Sequence, residues 1–177
     1  DKTTQVLAAR LATVGARFTG ETRCSHDATS VARAISQLLT DEQPDLLVLA
    51  GASAVTDRRD VLPAAIEQAG GEVLHFGMPV DPGNLLVTGR IGAMQVIGMP
   101  GCARSPKLNG FDWVLQRLAA GLEVMPDDIM DMGVGGLLKE IASRPLPRAA
   151  AVPVEQPASE DAGIDAIVLA AGMSRRM

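Results

Sequence analysis

The sequence predicts an α/β fold: a three-layer α/β/α sandwich around a mostly parallel, mixed sheet. Three observations predict it. Short continuous apolar runs alternate with segments of helical spacing. Glycine, proline and aspartate punctuate the joins between them. Two neighbouring apolar runs, separated by a glycine turn, add an antiparallel hairpin at one edge.

Taken in order, Thr4 to Val14 sets Val6, Leu7, Leu11 and Val14 at helical spacing, with Gly15 as its stop. His26-Asp27 offers an N-cap for a second helix that puts Val31, Ile35, Leu38 and Leu39 on one face. Leu46 to Ala50 is a continuous apolar run, which suits a strand buried on both faces. A small-residue loop, Gly51 to Thr56, leads through Asp57-Arg58-Arg59-Asp60 into a third helix carrying Val61, Leu62, Ala65 and Ile66. Gly70-Gly71 ends that helix, and Glu72 to Phe76 reads as the next strand. Leu85 to Arg90 and Ala93 to Gly98 read as two strands joined by a turn at Gly89 to Gly92. A helix follows from Phe111 to about Ala120, and residues 126–142 give one more helical stretch.

From Arg144 to Gly163 the composition shifts: this stretch holds four of the eleven prolines and few large apolar residues. It reads as an extended linker. A new apolar strand begins at Ile164 and runs to Ala170, a few residues before Met177. By this reading the strand has nothing to pair with, and the chain is a fragment whose second domain starts here.

The composition excludes several classes. The chain has 177 residues and 18.4 kDa, enough for one well-packed core. A hydrophobic content of 47% excludes wholesale disorder. The net charge of −5 argues against a general binder of nucleic acid or anionic membrane. Phe18, Phe76, Phe111 and Trp113 are the only aromatics, too few for a base-stacking platform. No apolar run approaches the roughly 20 residues of a membrane-spanning helix. Cys24 and Cys102 lie far apart with no Cys/His cluster, so neither a disulfide framework nor a structural zinc site is indicated, and a cytoplasmic location is the default.

In open α/β sheets ligands collect at the carboxyl ends of strands. Three loops qualify. In the first, Gly51 to Asp60, small residues let the backbone approach a ligand, and Ser53 and Thr56 add hydroxyls. Asp57 and Asp60 suit a magnesium ion beside a phosphate, although aspartate at a helix start is also ordinary capping chemistry. The second, Met78 to Asn84, offers Asp81, Gly83 and Asn84 on a proline-stiffened turn. The third, Gly98 to Gly110, carries Pro100, Gly101, Arg104, Ser105, Lys107 and Asn109 and reads either as an anion clamp or as a solvated loop. Cys102 has no base nearby in sequence, so a structural role is favoured over a nucleophilic one. His75, within a strand pattern, is expected to be packed rather than catalytic.

Three segments in this order resemble the molybdopterin-binding domain shared by MoeA, MogA and gephyrin. Leu49 to Asp57, continuing to Asp60, is similar to that family's strand, glycine-rich loop and acid. Met78 to Arg90 resembles its Pro-Gly-Lys-Pro segment and following strand, and Val96 to Gly101 its Gly-Leu-Pro-Gly turn. The similarity runs over residues 1–122. Departures are Ala50 and Val55 in place of glycines, Asn84-Leu85 in place of Lys-Pro, and Cys102-Ala103 in place of Asn-Pro. The resemblance leaves open which of Asp57 and Asp60 matches the family's acid. It implies a molybdenum-cofactor-biosynthesis fold whose usual first strand is missing here, leaving a place in the sheet unfilled. It also implies molybdopterin as ligand and a homo-oligomer, dimer or trimer, while the charge and the apolar runs point to no nucleic-acid or membrane partner.

The last segment, Leu169 to Met177, resembles the opening signature of the MobA-like nucleotidyltransferases, Leu-Ala-Ala-Gly-x-Ser-x-Arg-Met. In that family the loop wraps nucleotide phosphates, which implies nucleotide contacts for Gly172, Ser174 and Arg176. The expected organisation is a molybdopterin-binding-like domain over 1–143, a linker over 144–163 and the start of a truncated transferase over 164–177. The expected function is a cofactor-binding domain of a maturation protein fused to a nucleotidyltransferase, not catalytic alone. The alternatives are a CinA-like metal-dependent nucleotide pyrophosphatase and a non-catalytic oligomerisation or regulatory module.

Overall fold

A computed structural model describes residues 2–41 and 44–133, and the backbone of 165–171. The chain order is α1 (Lys2–Thr13), β1 (Arg17–Cys24), α2 (Ala28–Asp41), β2 (Leu46–Ala50), α3 (Val61–Gln68), β3 (Glu72–Phe76), β4 (Val87–Ile91), β5 (Met94–Gly98), a 3₁₀ turn (Gly101–Arg104), α4 (Gly110–Ala119), α5 (Pro126–Asp131) and β6 (Asp165–Ala171). The six strands form one sheet in the order β1-β6-β2-β5-β4-β3. β1, β6, β2 and β5 run parallel, and β4 runs against both β5 and β3. The α/β sandwich with a mixed sheet is thus the architecture of the chain, antiparallel at one edge.

Strand β2 shows why the sandwich forms. All five of its residues are buried. Leu46, Val48 and Ala50 pack into one core with Leu7 and Leu11 of α1 and with Phe111 and Leu115 of α4. Leu47 and Leu49 point the other way, into a second core with Val31 and Ile35 of α2 and Leu62 and Ile66 of α3. The two-residue period of a strand therefore feeds both helical layers. Each such leucine contributes roughly 1.5–3 kcal/mol by leaving water.

Asp27 caps α2 as anticipated, its Oδ1 accepting the Ser30 N–H at 2.8 Å. Other expectations need correction. Strand β1 went unread because Arg17 to Cys24 has no apolar run; its side chains are exposed or half-buried throughout. The hairpin turn is Gly92-Ala93, so of the expected Gly89 to Gly92 turn only the last residue lies in it. Gly89 lies inside β4, where a Cβ would stand 2.7 Å from the Glu72 carbonyl of β3. Leu85 and Leu86 precede β4 instead of beginning it. Of the helical stretch over 126–142, Pro126–Asp131 is helical, and residues 134–164, with the expected linker, lie outside the described residues.

The largest correction concerns the C-terminal strand. It was expected to lack a partner, and the sheet to have an empty place. Instead β6 pairs in parallel with β1 on one side and β2 on the other, with Leu169 opposite both Thr22 and Leu49. No other strand described hydrogen-bonds to β1. An apolar strand in that slot satisfies backbone groups that would otherwise face each other across a gap. No helix among the described residues is long and apolar enough to cross a membrane.

Candidate functional site

One row of the sheet places the site. Thr22, Leu169, Leu49, Gly98, Val87 and Phe76 are successive cross-strand partners. β3 and β5 end on that row, β1 and β2 end one or two residues past it, and β4 begins on it. The loops after β2, between β3 and β4, and after β5 therefore leave the same edge, joined there by the short exit of β1 through Ser25, His26 and Asp27. All three loops picked from sequence meet at the carboxyl edge of the parallel strands, where ligands bind in folds of this kind.

The first loop is shaped from within. Asp60 Oδ2 accepts the N–H groups of Thr56 and Asp57 at 2.6 and 2.8 Å, and the Thr56 hydroxyl at 3.3 Å. These backbone donors hold the Asp60 carboxyl below the usual carboxylate range. Asp60 occupies the N-cap position of α3 but makes no side-chain bond to that helix. Its carboxylate clamps the preceding loop instead of capping, which separates it from the bland reading. Asp57 Oδ1 accepts the Arg59 N–H at 2.7 Å.

Two residues from other loops complete this one. Arg104 Nη2 donates to the Gly51 carbonyl, and His26 Nε2 lies 2.9 Å from Ser53 Oγ. Gly51 itself is buried, and a Cβ on it would come within 3.1 Å of His26 Cε1 and 3.3 Å of Leu62 Cδ1. The glycine is needed for close approach of an imidazole, a reason no local reading supplies. His26 had been noticed only beside a helix cap. Its contact with Ser53 spans 27 residues of sequence, so no local pattern signals it.

The second and third loops are locked together. Gly110 N–H donates to the Pro82 carbonyl at 2.8 Å. Gly83 has φ +133° and would place a Cβ 2.9 Å from the Gly110 backbone, so only glycine fits. Asp81 and Asn84 are exposed beside it, and the Asn84 carbonyl accepts the Met78 N–H at 3.0 Å. Gly98 is buried at the end of β5, Pro100 is buried after it, and Gly101 is exposed at the start of the 3₁₀ turn.

Arg104, Ser105, Lys107 and Asn109, which the sequence left open between an anion clamp and a solvated loop, do not face one point. Arg104 faces Gly51. Asn109 is buried and serves α4: its Oδ1 accepts the Phe111 N–H at 3.0 Å and its amide donates to Cys102 Sγ at 3.2 Å. The carbonyls of Ser105 and Lys107 turn to Arg10 of α1, whose Nη2 donates to them at 2.6 and 2.9 Å. Arg10 also pairs with Asp112. A groove of about 470 Å³ lies on this flank, between α1 and α4, lined by Gln5, Arg10, Leu108 and Leu115. It is not at the strand ends.

No group of three or more His, Cys, Asp or Glu among the described residues is placed to hold a metal. Asp60 already accepts three hydrogen bonds on one oxygen, so the expected magnesium site between Asp57 and Asp60 finds no support. Gly172, Ser174 and Arg176 lie outside the described residues.

Residues 1–120 match the model of a family described as a probable molybdopterin binding domain. The chain belongs to that family. The match covers α1 through α4, hence all three loops of the carboxyl edge. No curated protein and no solved structure matches the chain.

Proposed function

We propose that this domain binds molybdopterin by its phosphate at the carboxyl edge of the sheet. The observation that carries the reading is the shared row Leu49, Gly98, Val87 and Phe76, past which three small-residue loops converge. Membership of the molybdopterin-binding family supports the ligand class. The residues fit such a group. The Gly51–Asp60 loop brings backbone and the hydroxyls of Ser53 and Thr56 to the edge, and Arg104 supplies a cation. Asp81, Gly83 and Asn84 border the other side, with Gly98, Pro100 and Gly101 at the base. Ser105 and Lys107 sit at its outer margin, where Arg10 anchors their backbone. The role of the domain is to hold the cofactor; presenting it to a nucleotidyltransferase rests on the string Leu169 to Met177 alone, whose first residues, Leu169 to Ala171, lie in this domain's own sheet.

Titration of molybdopterin and of its dephosphorylated form into the chain tests the reading. Saturable binding of the phosphorylated form, at least tenfold tighter than the other, is the expected result. Equal affinity for both removes the phosphate from the account.

A further inference from the structure

Ser53 and His26 come from different loops, and two contacts of the ring bear on which of them donates. The Ala52 N–H points at His26 Nδ1 from 3.5 Å, while Nε2 lies 2.9 Å from Ser53 Oγ. A ring nitrogen that accepts a hydrogen bond carries no proton. With Nδ1 as the acceptor, the neutral ring carries its proton on Nε2. Nε2–H donates to Ser53 Oγ, which leaves the serine's own proton free to be given to a third group.

The ring is held where it can do this. Gly51 leaves the space that a Cβ would close at 3.1 Å from Cε1, and Arg104 ties down the Gly51 carbonyl. Ser53 is exposed at the edge, and His26 is half-buried behind it.

We propose that His26 is a positioning residue that makes Ser53 a hydrogen-bond donor toward an oxyanion, a phosphate or phosphate ester, in the first loop. This deepens the phosphate-binding reading above and rests on it.

The test uses the full chain, inorganic pyrophosphate as probe, calorimetry for affinity, and nitrogen NMR of the imidazole for the tautomer. The native ring is expected to carry its proton on Nε2. His26→Ala and Ser53→Ala should each weaken pyrophosphate binding by about five- to tenfold, and the double variant should lose no more than either alone. His26→Gln, whose amide can reach the Nε2 position, should recover most of the loss. A proton on Nδ1, additive losses, or full affinity in His26→Ala overturns the positioning role while binding by the native chain still stands. Failure of the native chain to bind pyrophosphate overturns the phosphate reading and this role with it. If His26→Ala does not fold, the tautomer and the glutamine variant decide.

Discussion

Asp60 holds Thr56 twice, through its backbone N–H at 2.6 Å and its hydroxyl at 3.3 Å, and so closes the loop at the end of β2 from within. Arg58 and Arg59 lie exposed inside the closed segment, where trypsin would cut if it opened. Asp60→Ala should raise the rate of cleavage there by on the order of tenfold, because closure of the loop then competes less well with opening. Asp60→Asn should fall between, since a neutral acceptor makes weaker bonds than a carboxylate. Equal cleavage rates in all three proteins would contradict the clamp. The sign with pH follows from the lowered carboxyl pKa: closure is intact above the ordinary aspartate value and is lost only as pH falls through the lower folded one.

Arg104 joins the loop after β5 to the loop after β2 through the Gly51 carbonyl. Arg104→Lys retains charge but not the planar fork that reaches a carbonyl while presenting further N–H groups. Pyrophosphate affinity, measured by calorimetry, should drop by about tenfold in Arg104→Lys and further in Arg104→Ala. Native affinity in the lysine variant would show that the guanidinium geometry is irrelevant.

Two glycines of the site should respond differently to alanine. Gly83→Ala puts a Cβ 2.9 Å from the Gly110 backbone at φ +133°, so denaturant unfolding should show a loss of about 2–4 kcal/mol. A Cβ on Gly101 meets nothing within 4 Å, so Gly101→Ala should cost less than about 0.5 kcal/mol. It should nevertheless weaken molybdopterin binding, because the methyl occupies space at the proposed base of the site. A Gly101→Ala protein that binds as tightly as the native one would remove that residue from the site.

Burial holds the His75 imidazole below its ordinary pKa, and the charge of Arg58 adds to this. Its Nε2 is buried without a hydrogen-bond partner. The folded state thus favours the neutral ring. That contribution is complete above the ordinary histidine pKa and is lost as pH falls through the lower folded value. Stability of the native chain should decline as pH falls below the ordinary histidine pKa, and more shallowly in His75→Phe. Parallel declines in the two proteins would assign the acid sensitivity to other groups.

What could be read from sequence was whatever local pattern encodes. Leu46 to Ala50 reads as a strand because both its faces are buried, and Asp27 reads as a cap because its partner is three residues away. Strand β1 hid its nature behind arginine, threonine and glutamate, since its stability comes from pairing with a strand more than 140 residues later. Gly89 looked like a turn because its real constraint, the Glu72 carbonyl across the sheet, is not local. At the site, the three loops were legible as small-residue breaks after strands. The ties between them were not: Arg104 to Gly51 spans 53 residues. Asn109 was misjudged for the same reason, since its chemistry is taken up by the start of α4 and by Cys102.

The most direct measurement is backbone amide NMR of the chain during titration with molybdopterin. Shifts confined to residues 51–60, 81–84 and 98–104, together with His26, are the result the carboxyl-edge site predicts. Shifts clustered instead around Gln5, Leu108 and Leu115 in the groove between α1 and α4, or no shifts at saturating ligand, would contradict it.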